Sequence, residues 1–358
     1  MSKTIEVEAL ANVHSHLREG DIIGPLISQA IKGGADVLGL MPNTNEGLTT
    51  PSQIMEYLTE MKKASAGMPS LCFIPFLMMT EGMFPETIEE CLRNNIADAK
   101  IYPRDRTTKS EKGVRHYGSI LKLIQECESL GFPRMNLHFH PEHPSMIYNN
   151  RDAEYAFLPI ARLFLEETNA RIIWEHGTDA RCIPHWEDMA KKDDVTKGDR
   201  FFVTLTAHHL VTTEDETFGD VRAVCKPPIK TQADKKALVE FVKKDYPWVM
   251  AGGDDAFHDK NKKHVDNGKC ACGAYTAPFL LSLYAQALQD LLQTENGIRT
   301  FVNFTSRNAR QLHNLLKSSR TLRLENTPWK IPLNYQIGSQ TAVPFWAGEN
   351  LDWKLATV

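Results

Sequence analysis

Short runs of apolar and β-branched residues alternate with longer amphipathic segments along the whole chain. The short runs have the length of buried strands, and the longer segments, such as Ser52–Lys63 and Lys235–Lys244, carry apolar residues at helical spacing. This alternation is typical of repeated strand–helix units around a parallel sheet. The eight runs are Ala11–His16, Val37–Asn43, Cys72–Met79, Ala99–Pro103, Met135–His140, Arg171–Gly177, Phe201–His209 and Trp248–Asp255.

Polar residues are concentrated at the ends of these runs. In seven of the eight, a His, Asn, Lys or Asp stands at or near the C-terminal end. A (β/α)8 barrel builds its active site from the ends of several strands, whereas an open doubly wound sheet gathers such residues at one switch point. The pattern therefore predicts an α/β fold of the (β/α)8 TIM-barrel class, with the open sheet as the alternative.

The last 80 or so residues differ from the repeating part. Helical patterns at Pro278–Leu292 and near Ser306–Ser318 are followed by a tail interrupted by Pro and Gly. We interpret residues 1–358 as one domain, with a barrel core at about 9–320 and a C-terminal cap at 321–358, because barrels of this length form single domains.

The composition limits the kinds of molecule that the protein is expected to bind. The formal net charge is −4, and no basic stripe interleaved with aromatic residues is present, which argues against nucleic acid. No apolar run approaches the roughly 20 residues that span a bilayer, and the first residues lack the apolar core of a secretory signal. We therefore expect a cytoplasmic protein that acts on a small molecule.

The seven cysteines form an odd set without an evident disulfide framework, as expected in a reducing compartment. Cys270-Ala-Cys272 resembles half of a metal clip. No second Cys/His pair stands nearby at zinc-finger spacing, so we interpret these thiols as incidental to a loop.

The pair His14 and His16 is the strongest chemical signal. Side chains two apart on a strand point to the same face, so both imidazoles can hold one metal ion. Other strand ends add His138, His176 and Asp254, and imidazole nitrogens with a carboxylate suit zinc. Each alone has an ordinary structural explanation, but their joint occurrence favours a metalloenzyme.

Lys100 is the unusual member of this set, because an ammonium group cannot ligate a metal and is costly to bury. A neutral, desolvated amine that reacts with carbon dioxide gives a carbamate with two anionic oxygens. Such a group can bridge two cations, one held by His14 and His16 and the other by His138 and His176.

Nearly the whole chain resembles the amidohydrolase superfamily and, within it, the dihydroorotases of the shorter stand-alone bacterial and fungal type. The motifs that carry the resemblance are Val-His-Ser-His-Leu-Arg-Glu-Gly (13–20), Leu-Met-Pro-Asn (40–43), Ala-Lys-Ile-Tyr-Pro (99–103) with Thr107-Thr108, Leu-His (137–138), Glu-His (175–176), Leu-Thr-Ala-His-His-Leu (205–210), Cys-Lys-Pro-Pro (225–228), the pair Asp254/His258 and Pro-Phe-Trp-Ala-Gly-Glu (344–349).

The resemblance implies a centre with two zinc ions. His14, His16 and Asp254 would hold the more buried ion, His138 and His176 the more exposed one, and N6-carboxylated Lys100 and a hydroxide would bridge them. Asp254 would also be the general acid and base. The implied reaction is the reversible cyclisation of N-carbamoyl-L-aspartate to L-dihydroorotate in pyrimidine synthesis, by a homodimer.

The resemblance also implies the contacts with substrate. Arg18 and Asn43 match positions that bind the substrate carboxylate, and His258 matches a further contact. A guanidinium two residues beyond a ligand on the same strand face can pair with a carboxylate in bidentate fashion. The remaining matches are Thr107 and Thr108 on a mobile loop, and Cys225, Lys226 and Gly273 where backbone groups touch the ring.

Several neighbouring candidates stay open. His140 shares a strand face with His138, and the family register favours His138 as the ligand. His208 and His209 are predicted on opposite faces of a strand, with one at the mouth of the site, and Asp255 is expected to cap a helix.

The sequence departs from the family at three places: His-Phe-His (138–140) stands where a ligand His is followed by Gly-Glu, Gly-Gly-Asp-Asp-Ala-Phe-His (252–258) where Gly-Thr-Asp-Ser-Ala-Pro-His is usual, and Thr-Asn-Glu-Gly (44–47) where Pro-rich residues follow. Such changes around ligands tune activity by about 10- to 100-fold. Two alternatives therefore remain: another cyclic amidohydrolase, such as a dihydropyrimidinase, hydantoinase or allantoinase relative, and an inactive paralogue kept as a scaffold.

Overall fold

The computed structural model describes residues 3–195, 199–266 and 268–356. Its strands are β1 Thr4–Glu8, β2 Leu10–His16, β3 Ala35–Leu40, β4 Cys72–Met78, β5 Asp98–Ile101, β6 Asn136–Phe139, β7 Arg171–Trp174, β8 Phe201–Leu205, β9 Val249–Ala251, β10 Asp255–Ala256, β11 Thr321–Lys330, β12 Tyr335–Ile337, β13 Gln340–Ala342 and β14 Asn350–Leu355.

The α-helices are α1 Ile23–Lys32, α2 Pro51–Ala64, α3 Pro85–Arg93, α4 Tyr117–Ser129, α5 Leu158–Glu167, α6 Ile183–Val195, α7 Ala207–Val211, α8 Gln232–Lys243, α9 Lys260–Lys263, α10 Leu280–Ala287, α11 Glu295–Val302 and α12 Asn308–Leu312. Short 3-10 turns stand at Gly20–Ile22, Tyr155–Phe157, Ala180–Cys182, Val221–Ala223, Ala277–Phe279 and Leu291–Gln293, and a π-helical turn at Asn303–Arg307 precedes α12. No helix in the described ranges is long and apolar enough to cross a membrane.

The main sheet is a closed parallel barrel. Strands β2 to β9 pair in sequence order, and β10 pairs in parallel with β2, joining Asp255 to Ser15 and Ala256 to His16. Because β9 and β10 are separated only by residues 252–254, they form one interrupted eighth strand that closes the ring. The predicted (β/α)8 barrel is therefore confirmed.

Helix α12 closes the N-terminal end of the barrel. Its Ala309 and Leu312 pack into an apolar layer inside the barrel that includes Val13 and Phe76. The Asn308 side chain donates to the carbonyl of Val249, the first residue of β9, at 2.7 Å. Substrate access is therefore confined to the opposite, C-terminal end.

Two regions differ from the sequence-based expectation. The run Phe201–His209 is strand only to Leu205, and α7 then carries His208 and His209, so these residues do not alternate across a strand. The tail, expected as a Pro- and Gly-interrupted cap, contains strands β11 to β14. Strand β11 pairs antiparallel with β1 and β14, so both ends of the chain share a second sheet.

Candidate metal centre and substrate pocket

Strand β2 and the interruption of the eighth strand bring three predicted ligands together. His14 Nε2 and His16 Nε2 each lie 3.1 Å from the same oxygen, Asp254 Oδ1. Asp254 has a positive φ of 44°, a conformation that costs energy outside glycine and is found at functional sites. Its side chain is thereby held in contact with both imidazoles.

His140 and His176 form the other half of this centre. Their ring centroids are 4.5 Å apart, and the His176 ring lies 5.4 Å from that of His14. His176 also has a positive φ, of 40°. The Nε2 atom of His140 is held by Glu142 Oε2 at 2.8 Å, which fixes the ring and leaves Nδ1 free to ligate.

His138, the ligand predicted from the sequence, lies one layer lower. Its Nε2 is 3.0 Å from Asp98 Oδ1 and its Nδ1 is 3.0 Å from Glu175 Oε1. Residues two apart on a strand share a face but are separated by about 6.6 Å along it, so only His140 reaches the open end. Burial lowers the pKa of His138 to about 4, while Asp98 opposes this shift. The structure therefore places His140, rather than the predicted His138, beside His176 at the open end of the barrel.

The sequence does contain a signal that favours His140 as a metal ligand. The family pattern places a Glu two residues after the ligand His, and Glu142 stands two residues after His140. An alignment on that Glu, rather than on the preceding Leu-His pair, predicts His140 as the ligand.

Lys100 is completely buried, and its Nζ lies in close contact with a carboxylate oxygen of Glu175. Burial lowers the pKa of Lys100 well below its ordinary value, with Asp254 opposing, so the neutral amine is favoured. Glu175 also lies 3.3 Å from His14 Nδ1. The sequence marked Glu175 only as part of a motif, yet it contacts both halves of the centre. We name His14, His16, Lys100, His140, His176 and Asp254 the upper cluster.

Asp254 is kept ionised by its neighbours. Burial works to raise the pKa of this carboxyl, but His14 and His16 lower it to well below its ordinary value. Asp255 points the other way and accepts hydrogen bonds from Asn12 Nδ2 at 2.7 Å and Ser15 Oγ at 3.0 Å. It therefore fixes β10 to β2 rather than capping a helix.

A narrow pocket of ≈ 20 Å³ opens above the upper cluster. Arg18 lines it with a positive φ of 59°, and its Nε donates to the Phe257 carbonyl at 2.9 Å. His258 Nε2 lies 3.3 Å from Arg18 Nη2 and donates to the Cys272 carbonyl at 2.7 Å. Among the described residues, no carboxylate pairs with the Arg18 guanidinium at salt-bridge distance.

The loop after β5 covers part of the pocket. Asn43 Nδ2 donates to the Thr108 carbonyl at 3.2 Å, and Thr108 Oγ1 donates to the Cys272 carbonyl at 3.3 Å. Thr107 and Gly273 also line the pocket. These contacts tie the loop to two neighbouring walls, as a covering segment requires.

The two remaining predicted substrate contacts, Lys226 and Cys225, lie in different places. Lys226 lines the pocket, whereas Cys225 is buried behind it with its Sγ 3.3 Å from the Pro227 carbonyl. Tyr102, which the sequence did not single out, lines the pocket with a buried hydroxyl that has no hydrogen-bond partner among described residues.

His208 and His209 do not line the pocket. His209 Nε2 donates to the Pro227 carbonyl at 3.0 Å, and its Nδ1 contacts Thr206 Oγ1, which makes it structural. His208 is buried near Phe345 of the tail, with ring centroids 6.1 Å apart. The expected histidine at the mouth of the site is therefore absent from these two positions.

Known dihydroorotases are similar to this chain over nearly its whole length. No protein-family model matches the chain. The dihydroorotase of Saccharomyces cerevisiae is 29% identical over 373 residues, which cover 99% of each chain. A crystal structure of dihydroorotase from that organism in complex with 5-fluoroorotic acid matches with a TM-score of 0.86 and 28% identity, covering 99% of this chain and 98% of the other. An L-hydantoinase (dihydropyrimidinase) from Arthrobacter aurescens shares the fold, with a TM-score of 0.76, 14% identity and coverage of 98% and 83%.

Proposed function

We infer that this chain belongs to the dihydroorotases of the amidohydrolase superfamily, and that it interconverts N-carbamoyl-L-aspartate and L-dihydroorotate in pyrimidine synthesis. The observation that carries the substrate assignment is Arg18. Its guanidinium faces the pocket beside the upper cluster without a carboxylate partner among the described residues. A ring that bears a carboxylate supplies that partner, whereas an uncarboxylated cyclic amide leaves the guanidinium unpaired.

We propose that the upper cluster holds two zinc ions. His14, His16 and Asp254 would hold one, His140 and His176 the other, and carboxylated Lys100 would bridge them. Two observations support this fit: one carboxylate oxygen is shared by two imidazoles, and the buried Nδ1 atom of His176 has no hydrogen-bond partner among the described residues. When bound, such ions make a nucleophile available at neutral pH and polarise an amide carbonyl.

The protein groups then have separate tasks. Arg18 and Asn43 bind the substrate carboxylate and so orient the ring over the upper cluster. Asp254 takes the proton of the attacking water at Oδ1 and delivers it to the ring nitrogen as the amide bond breaks; in cyclisation the same transfers run backwards. The loop with Thr107 and Thr108 excludes bulk water while the ring is bound.

The test is hydrolysis of L-dihydroorotate by purified, zinc-loaded protein, with dihydrouracil and hydantoin as matched rings that lack the carboxylate. We expect kcat/KM for dihydroorotate to exceed that for either other ring by about 100-fold or more. Preference for an uncarboxylated ring would identify a divergent cyclic amidase, and no turnover with zinc bound would favour a scaffold; either result contradicts the proposal.

We also propose a cytoplasmic homodimer folded as a single domain over residues 1–358, with a barrel core at about 9–320. The absence of disulfides among the seven cysteines, all of which are described as free thiols, supports a reducing compartment. Light scattering of the purified protein measures the mass in solution and tests the dimer.

A further inference from the structure

A second group of metal-ligand side chains lies inside the barrel at its N-terminal end. Asp98 is the first residue of β5, His138 lies in β6, and His313 follows α12. We name these three residues the bottom cluster. They are separated by up to 215 residues in the chain, yet one possible ligand atom from each lies within 4.8 Å of the others.

The spacing of the donor atoms suits a metal ion. Asp98 Oδ1 is 3.0 Å from His138 Nε2 and 3.5 Å from His313 Nδ1. Ligands bound to tetrahedral zinc at about 2.0–2.1 Å stand roughly 3.3 Å from one another, so these distances bracket the value for zinc. The two imidazole rings are also nearly parallel, with an interplanar angle of 15°.

Hydrogen bonds within the protein leave this cluster incompletely satisfied. A neutral imidazole has one N–H, but His138 has a carboxylate at each nitrogen, Asp98 at Nε2 and Glu175 at Nδ1. One of these contacts therefore joins two acceptors. Buried polar atoms in folded proteins are normally paired, so the arrangement calls for another group.

A divalent cation resolves this mismatch. With the ion on Nε2, His138 donates its Nδ1–H to Glu175, which is the carboxylate–histidine–metal arrangement that fixes ligand tautomers. Asp98 Oδ1 faces the same position and is itself held by Asn136 Nδ2 at 2.9 Å. We propose that Asp98, His138 and His313 form a zinc-type metal site at the N-terminal end of the barrel, distinct from the substrate pocket.

The site has a route for its ion and a structural task. The side chains of Asp98 and His313 retain 9% and 4% exposure, so the cluster borders solvent at the closed end, where a water molecule can complete four-fold coordination. None of the three residues lines the substrate pocket. An ion here joins the helix that closes the barrel to two of its strands, and it therefore stabilises that closure.

The experiment compares the zinc content of four proteins: wild type, His313→Phe, Asp98→Asn and the control His116→Phe, which removes an exposed histidine outside both clusters. Each is saturated with zinc, passed through a desalting column and analysed by mass spectrometry of the metal. We expect wild type and His116→Phe to retain one more zinc ion per chain than His313→Phe and Asp98→Asn.

Equal zinc content in wild type and a folded His313→Phe or Asp98→Asn variant overturns the proposal. Cobalt substitution gives a second measurement on wild type itself: zinc added stepwise to the cobalt-loaded protein must displace one cobalt ion without changing dihydroorotate turnover. If every step of cobalt displacement by zinc changes turnover, the proposal is also overturned. The comparison of zinc content between variants does not depend on the proposed substrate, so it stays decisive even if the proposed function fails.

Discussion

The two ends of the barrel carry similar side chains in different settings. Strand β5 supplies Lys100 to the upper cluster and Asp98 to the bottom cluster. Strand β6 supplies His138 to the bottom cluster, and His140, which directly follows β6, belongs to the upper cluster. In each pair the two residues are two positions apart, so they point to the same side. One pair of strands therefore serves both clusters, and ligand chemistry alone does not distinguish them.

Backbone strain and access to substrate do distinguish them. Arg18, His176 and Asp254 at the upper end all have positive φ, whereas Asp98 and His138 lie in regular strands and His313 has an ordinary φ of −94°. Strained backbone costs about 1–3 kcal/mol per residue and persists where function requires it. The upper cluster also adjoins a pocket with an unpaired guanidinium. The comparison teaches that strain, a pocket and a substrate-binding charge together mark the catalytic end.

The largest expected difference in activity is between two matched variants, His140→Asn and His138→Asn. His140→Asn removes a ligand beside the pocket, so kcat/KM for dihydroorotate should fall by about 1,000-fold or more, because loss of metal positioning costs several kcal/mol of transition-state stabilisation. His138→Asn removes a ligand of the bottom cluster and a partner of Glu175, and neither change lies in the substrate pocket, so the loss should stay within about 100-fold. Steady-state kinetics on both proteins measures the contrast, and a larger loss for His138→Asn would reverse our assignment.

Glu175 contacts both clusters, through His14 and Lys100 above and His138 below. Glu175→Gln should lower kcat/KM by about 10- to 100-fold and weaken zinc retention at both ends, because the buried hydrogen-bond partner of a ligand is altered. Zinc content after dialysis against a chelator, with exposed Glu166→Gln as the control, checks this. Unchanged zinc retention in Glu175→Gln would show that Glu175 does not link the two clusters.

Arg18→Ala should affect recognition rather than the metal centre. Loss of a charged hydrogen-bond pair of about 1.5–3 kcal/mol lowers kcat/KM for dihydroorotate by about 10- to 100-fold. Slow turnover of dihydrouracil, which has no carboxylate, should change little, and zinc content should not change. An equal loss on both rings would show that Arg18 does not bind the carboxylate.

The smallest expected effect is the loss of thermal stability when metal is removed from the bottom cluster. An ion present at about 100 times its Kd stabilises the native state by about 2.7 kcal/mol. Chelation should therefore lower the Tm of wild type by about 4 °C more than that of His313→Phe. Calorimetry of both proteins with and without chelator measures the difference, and identical shifts would exclude a stabilising ion at His313.

Much of the upper cluster could be predicted because its signals are local. The His14-x-His16 pair needs only strand periodicity, and Asp254 stands at a strand end marked by two glycines. The choice between His138 and His140 could not be made from periodicity, since both face inward and only depth along the barrel separates them. The substrate contacts depended on resemblance to a family rather than on pattern.

The bottom cluster and the second sheet could not be predicted for a different reason. His313 lies 175 residues after His138, and nothing in its own helix marks it as a neighbour of β6. Strand β11 likewise pairs with β1 across the whole length of the chain. Contacts of this kind arise only when the barrel closes and its last helix docks.

The most direct test of whether the two ends of the barrel hold separate metal sites is anomalous diffraction at the zinc edge. The crystals would contain zinc-loaded protein with N-carbamoyl-L-aspartate. The account predicts two ions in the upper cluster with His140 as a ligand, the substrate carboxylate against Arg18, and a third ion between Asp98, His138 and His313. An ion that joins His138 to His176 while His140 stays unbound, or a substrate carboxylate far from Arg18, would contradict it.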